Sequence, residues 1–411
     1  MLRSLLVSLF LLLSLSLAGL ASAADKAPLR IAFIDPVSGP AANLGLPALA
    51  QMRFDAKRIN QAGGINGHPI EIVVMDNKMT PKQSLVELQK ATDDGIRYIV
   101  QGMASSVASA LQSGVDKYNQ RNPAKPVLYF NYSATDPVLT GDRCSFWSFR
   151  FIGNTYMTMN VLTNWVATHK DIHKIFLINP DYSFGHAVAE SASRMLKEKR
   201  PDVKIVGSAF QPTLKVKDFS PYITQIKASG ADAVITGNFG NDMSLLVKAA
   251  ASYGLNIPIL TYFGNSPGTV ATVGKSAVGR LYVAADAAGD YTNPILAQRQ
   301  VKLREESGWD LNMPRITYML EMLQQAAKKA DSIDPVKVAS ALEGMKYDSL
   351  RGEVIMRAKD HQILLPYFVS VLKDGMKIGA DGTDGLNFHT LKKYSAQDVA
   401  LPTTCHMKRP Q

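Results

Sequence analysis

Short β-branched runs alternate with amphipathic helical stretches along most of this chain, and that alternation constrains the fold more than any other feature. β-rich runs lie at 29–34, 70–75, 97–100, 127–131, 174–178, 203–207, 232–236, 257–261 and 281–285. Between the first two, Ala48, Leu49, Met52, Ala56 and Ile59 share one helical face. Gly63 and Gly64 then stop that helix. Strands that alternate with helices form parallel sheets covered on both faces. A length of 411 residues exceeds one ordinary domain. The segments ending at Gly102 and Gly237 share an order of helix end, glycine, buried strand and second glycine, 237 − 102 = 135 residues apart. Two similar α/β lobes would produce that repeat.

Beyond Tyr291 the pattern becomes more helical. Ile316, Met319, Leu320, Leu323 and Ala327 line one helical face. Asp334 is placed to cap a further helix with Pro335 in its first position. Strands are expected at 352–356 and 367–372, and 377–411 reads as an irregular tail.

The N-terminus carries Arg3, an apolar stretch and Ala-Ser-Ala, which is the layout of a secretory signal peptide cut after Ala23. The rival reading is a membrane anchor, which Ser14, Ser16 and Gly19 weaken. Cys144 and Cys405 are the only cysteines. In an exported chain an even count suggests one disulfide; two free buried thiols are the alternative. The formal charge of +10 is spread over scattered lysines and arginines, which favours a solvated basic surface over a nucleic-acid interface.

Enzyme signatures fail on inspection. Gly264-Asn265-Ser266-Pro267-Gly268 fits the nucleophile elbow, yet the residue after the serine must donate its N–H to an oxyanion, and Pro267 has none. Gly274-Lys275-Ser276 ends like a phosphate-binding loop, but the required upstream glycine is Thr269. No CxxC pair occurs, His169 and His173 lack a third partner, and no metal or cofactor is implied.

Other residues carry a family likeness. Ser38-Gly39-Pro40, the block from Ile59 to Gly67, Asp76, Pro81-Lys82-Gln83, the block from Ser133 to Thr140 and Asp181-Tyr182-Ser183-Phe184-Gly185 resemble the periplasmic leucine/isoleucine/valine-binding proteins. The resemblance implies two doubly wound α/β lobes, three crossover segments near Gly153, Arg280 and Leu365, and a ligand cleft between the lobes. Lobe 1 would hold 24–152 and 281–364; lobe 2 would hold 153–280 and 365–411. It also implies a periplasmic, monomeric receptor that captures a small organic molecule and hands it to the permease of an ABC importer. A sensor subunit of the same fold is the nearest alternative.

The family grips a ligand carboxylate with a serine after the third strand, here Ser105 with Ser106 as a one-residue alternative, and with the loop Ser133, Ala134 and Thr135. Its ligand-facing tyrosines fall on Leu44, Phe184 and Phe239, and the glutamate that pairs with the ligand's ammonium falls on Phe263. A buried ammonium without a partner costs roughly 3–5 kcal/mol, on the order of a hundredfold or more in affinity. The expected ligand is therefore a carboxylate with an apolar or aromatic body, unless Asp35, Asp181, Asp242 or Asp286 replaces the missing carboxylate.

Overall fold

The computed structural model describes residues 26–410. The segment expected to be removed after Ala23 lies outside them. Strands β1 (Leu29–Asp35), β2 (Ile70–Asp76), β3 (Tyr98–Gln101), β4 (Leu128–Asn131) and β5 (Ser148–Arg150) join β11 (Lys346–Ser349), β12 (Gly352–Arg357) and β13 (Gln362–Leu364) in one sheet. Its order is β11-β12-β13-β5-β4-β3-β1-β2. Strands β6 (Lys174–Pro180), β7 (Lys204–Gln211), β8 (Ala233–Thr236), β9 (Ile259–Thr261) and β10 (Leu281–Ala285) join β14 (Tyr367–Lys373) and β15 (Asn387–Tyr394) in the other. That order is β15-β14-β10-β9-β8-β6-β7. Pairing is parallel from β1 to β5 and from β6 to β10; the β11–β12, β12–β13, β10–β14 and β14–β15 pairs are antiparallel.

The strand order reverses between β3 and β1 in the first sheet and between β8 and β6 in the second. Such switch points open a crevice at the carboxyl ends of the strands. The same device braces both. Asp35, ending β1, accepts from the N–H of Gly102 at 2.8 Å; Asn179 of β6 accepts from that of Gly237 at 2.7 Å.

The family-like motifs near the N-terminus have structural work. The helix Ala42–Gln61 buries Ala48, Leu49, Met52, Ala56 and Ile59 as its spacing predicts. Asn60 at its end binds the backbone of Ile70 through both amide atoms, at 2.6 and 2.9 Å, so the helix is tied to β2. Gly64 takes φ +71°, and a Cβ there would stand 2.3 Å from the His68 carbonyl oxygen. Asp76 receives the Ser38 hydroxyl and the Val37 N–H, which holds the first loop. Asp334 caps the helix Pro335–Leu342 through the N–H groups of Val336 and Lys337.

Three expectations need correction. Leu281–Ala285 belongs to the second sheet, paired with β9 and β14, so the chain crosses after Ala285 and not near Arg280. The 377–411 stretch is not wholly irregular: Asn387–Tyr394 pairs with β14 as an edge strand and Ala396–Val399 is a short capped helix. The final residues also leave the second lobe. Leu401 and Thr403 bind Arg357 and Thr140 of the first-sheet side, and Cys405 is bridged to Cys144. The disulfide therefore returns the tail to the first lobe.

Candidate functional site

The crevice between the two sheets encloses a cavity of about 80 Å³. On the same measure a single water needs about 10–15 Å³, so a small organic molecule fits. Leu44, Ser105, Ser133, Ala134, Thr135, Phe184, Phe239 and Phe263 all line it. Ser106 does not: it is exposed, on the outer mouth of the cleft. Neighbouring residues on a helix point about 100° apart, so a helix that turns Ser105 inward turns Ser106 away.

The first lobe supplies donors. The helix Ser105–Arg121 begins at the cavity, and its first-turn N–H groups have no partners within the helix. The turn before it is held by Asp35, which is fully buried and receives the N–H groups of Gly102 and Met103 and the Tyr132 hydroxyl. In the second loop, Asn131 already accepts from the N–H groups of Ser133 and Ala134, at 3.1 and 2.8 Å. What remains for a ligand anion is the Ser133 and Thr135 hydroxyls, the Thr135 N–H and the Ser105 end of the helix. Hydroxyls and a helix N-terminus suit a carboxylate without a countercharge.

The second lobe supplies rings. Phe184 lies in the first turn of the helix Ser183–Lys199, Phe239 caps the helix Gly240–Ser252, and Phe263 follows β9. Phe263 stands 5.8 Å from Phe184 and 6.3 Å from Phe239, at interplanar angles of 55° and 85°. These are the tilted and edge-on contacts that aromatic rings prefer. Phe184 is fully buried and also part of the core, whereas Phe239 and Phe263 are half-buried.

Of the four candidate aspartates, only Asp286 lines the cavity. Asp35 serves the turn. Asp181 is exposed beside His186. Asp242 receives the Leu214 N–H at 2.7 Å, and burial pushes its carboxyl up to about 6 against that bond. Asp286 is paired with Arg315 at 2.9 Å, both side chains being buried. Sequence reasoning missed Arg315, Asn265, Ser266 and Asn312, all of which line the cavity. Ser266 sits in the rejected elbow. Its hydroxyl donates to the Phe263 carbonyl at 2.8 Å, and no histidine lines the cavity.

A crevice between two such sheets, with a helix N-terminus and hydroxyls on one side and aromatic rings on the other, defines a two-lobed solute receptor. The chain belongs to the periplasmic binding protein family, whose profile matches residues 28–377. It is a periplasmic solute-binding protein of the branched-chain amino-acid group of ABC transporter receptors. It is similar to Leu/Ile/Val-binding protein homolog 4 of Brucella abortus, at 32% identity over 407 residues, covering 97% of this chain and 96% of that one. The solved leucine-, isoleucine-, valine-, threonine- and alanine-binding protein of Brucella ovis, in a closed conformation, matches with 31% identity and a TM-score of 0.84 over 93% of this chain and 100% of that one. A solute-binding protein of Rhodopseudomonas palustris HaA2, solved with p-hydroxybenzoic acid, shares the fold at 22% identity, a TM-score of 0.75 and coverage of 90% and 98%.

Proposed function

We propose that this receptor captures a small monocarboxylic acid with an aromatic or apolar body and delivers it to the permease of an ABC importer. The charge balance of the cavity carries this reading. Among the described residues, Asp286 and Arg315 are the only charged side chains that line it, and they neutralise each other. No carboxylate is left over for the ammonium of an α-amino acid. A ligand carboxylate, by contrast, meets the Ser105 helix end and the Ser133 and Thr135 hydroxyls, and its body meets Phe239 and Phe263. The aromatic acid bound by the Rhodopseudomonas protein supports the same direction. The Ser266 hydroxyl is spent on the Phe263 carbonyl and, among the described residues, no histidine lines the cavity, which supports binding over hydrolysis. The chain acts as a monomer, exported through a segment cut after Ala23.

Isothermal titration with benzoate tests the slot. Phe239→Ala and Phe263→Ala are each expected to weaken binding by roughly 1–2 kcal/mol, about tenfold. Unchanged affinity in both variants would remove the aromatic slot.

One observation favours a second reading. Asp286 faces the cavity, and the Brucella relatives are named for leucine, isoleucine and valine. If a ligand ammonium displaced Arg315 from Asp286, leucine would bind and Asp286→Asn would abolish that binding.

A further inference from the structure

Arg315 leaves most of its hydrogen-bonding capacity unused. Its Nη1 donates to both oxygens of Asp286, at 2.9 and 3.2 Å, and it makes no other hydrogen bond among the described residues. The side chain is buried, and its Nε has no partner. A guanidinium carries five donors, so three N–H groups remain unspent. Three residues earlier, the Asn312 Oδ1 is also buried without a partner. Asn312 Nδ2 donates only weakly, to the Asn265 carbonyl at 3.4 Å. Arg315, Asp286 and Asn312 all line the cavity. They come from the end of β10 and the start of the helix Pro314–Ala330, elements separate from those that carry Ser105 and Thr135.

We propose that Arg315, Asp286 and Asn312 form a second polar subsite that selects an acid bearing a hydroxyl group on its ring. The proposal rests on the aromatic-acid reading above. Unpaired donors and an unpaired acceptor on side chains that line one cavity call for a group that both accepts and donates. A hydroxyl accepts from the Arg315 guanidinium and donates to Asn312 Oδ1 or to Asp286. A second carboxylate satisfies Arg315 but faces two acceptors, one of them charged. A bare ring leaves the guanidinium N–H groups without partners once the lobes expel water, and buried unmade hydrogen bonds are costly.

The test is titration of the mature chain with benzoate, 3-hydroxybenzoate, 4-hydroxybenzoate and terephthalate. One hydroxybenzoate is expected to bind about ten- to a hundredfold more tightly than benzoate, as befits a hydrogen bond to a charged group. Terephthalate is expected to bind more weakly than benzoate. Removing Arg315 alone would strand a buried Asp286 and risk unfolding. The variant is therefore the double substitution Arg315→Leu with Asp286→Leu, which leaves no unpaired charge. It should erase the hydroxyl advantage, bringing benzoate and the hydroxybenzoates to within about threefold of one another. Asn312→Ala, at a half-buried position, should reduce the advantage without touching a charge. Equal affinity for benzoate and both hydroxybenzoates overturns the subsite while the aromatic-acid reading stands. Tighter binding of terephthalate than of either hydroxybenzoate also overturns it. Binding of leucine with no aromatic acid bound overturns the subsite and the reading beneath it together.

Discussion

Asp35→Ala is expected to destabilise the protein by about 3–5 kcal/mol and to weaken ligand binding at least about tenfold. The carboxylate is fully buried and receives the N–H groups of Gly102 and Met103 at 2.8 and 3.0 Å and the Tyr132 hydroxyl at 2.6 Å. Each donor stranded by the substitution costs about 1–3 kcal/mol. The turn so released carries Ser105 into the cavity, so affinity falls with stability. Asp35→Asn should cost less, because Asn179 performs the matching task in the second lobe with one amide oxygen on Gly237. The two variants also separate by pH. Burial pushes the Asp35 carboxyl up to about 7, against the donors that favour its ionised form. The folded chain thus holds this proton more tightly than the unfolded chain does. The group's contribution to stability is complete below the ordinary carboxylate range and is lost as pH rises through 7, by roughly 4 kcal/mol between pH 4 and pH 8. Urea unfolding at pH 4 and pH 8 should show that loss in the native chain and a flatter profile in Asp35→Asn. Parallel profiles for the two chains would assign the pH dependence elsewhere.

Gly45→Ala is the second large effect. A Cβ at this position would stand 1.9 Å from the Pro36 carbonyl oxygen and 2.9 Å from its carbon, both backbone atoms. No rotamer can relieve such a contact, so the start of the helix Ala42–Gln61 must shift away from the loop after β1. Overpacking of this kind costs about 1–3 kcal/mol and occasionally more; a rigid backbone partner places this case at the upper end. The shift also moves Leu44, which lines the cavity and reaches toward Gly240 of the other lobe. A fall in melting temperature with weaker ligand binding is expected. Gly185 repeats the arrangement in the second lobe, 1.9 Å from the Pro180 carbonyl oxygen, and Gly185→Ala should behave alike. A melting temperature unchanged in both variants would contradict this packing.

Much of this architecture is legible in the residues because apolar runs and helical periodicity are local signals. The nine β-rich runs before residue 286 all became strands. The strands that escaped are short or polar. Ser148–Arg150 and Gln362–Leu364 span three residues each. Asn387–Tyr394 carries Lys392 and Lys393 as an exposed edge strand often does. Sheet membership is not local either, and Leu281–Ala285 reads the same in either lobe. The site divides along the same line. Ser105, Thr135 and the three phenylalanines follow strand ends and are marked by family-like loops. Arg315 opens a helix 29 residues beyond its partner Asp286, and nothing in the intervening residues signals that the fold will bring them together. Asp286 stood in the sequence only as one of four aspartates that could replace the missing carboxylate.

The central claim is that the cleft takes an acid without an α-ammonium group. The most direct measurement is a thermal-shift screen of the mature chain, stripped of ligand, against leucine, valine, aliphatic acids, benzoate and its hydroxylated forms. At a hundred times its Kd a ligand adds about 2.7 kcal/mol of stability. The account expects a clear rise in melting temperature with aromatic acids and none with leucine or valine. A strong rise with leucine or valine and none with the aromatic acids would contradict it.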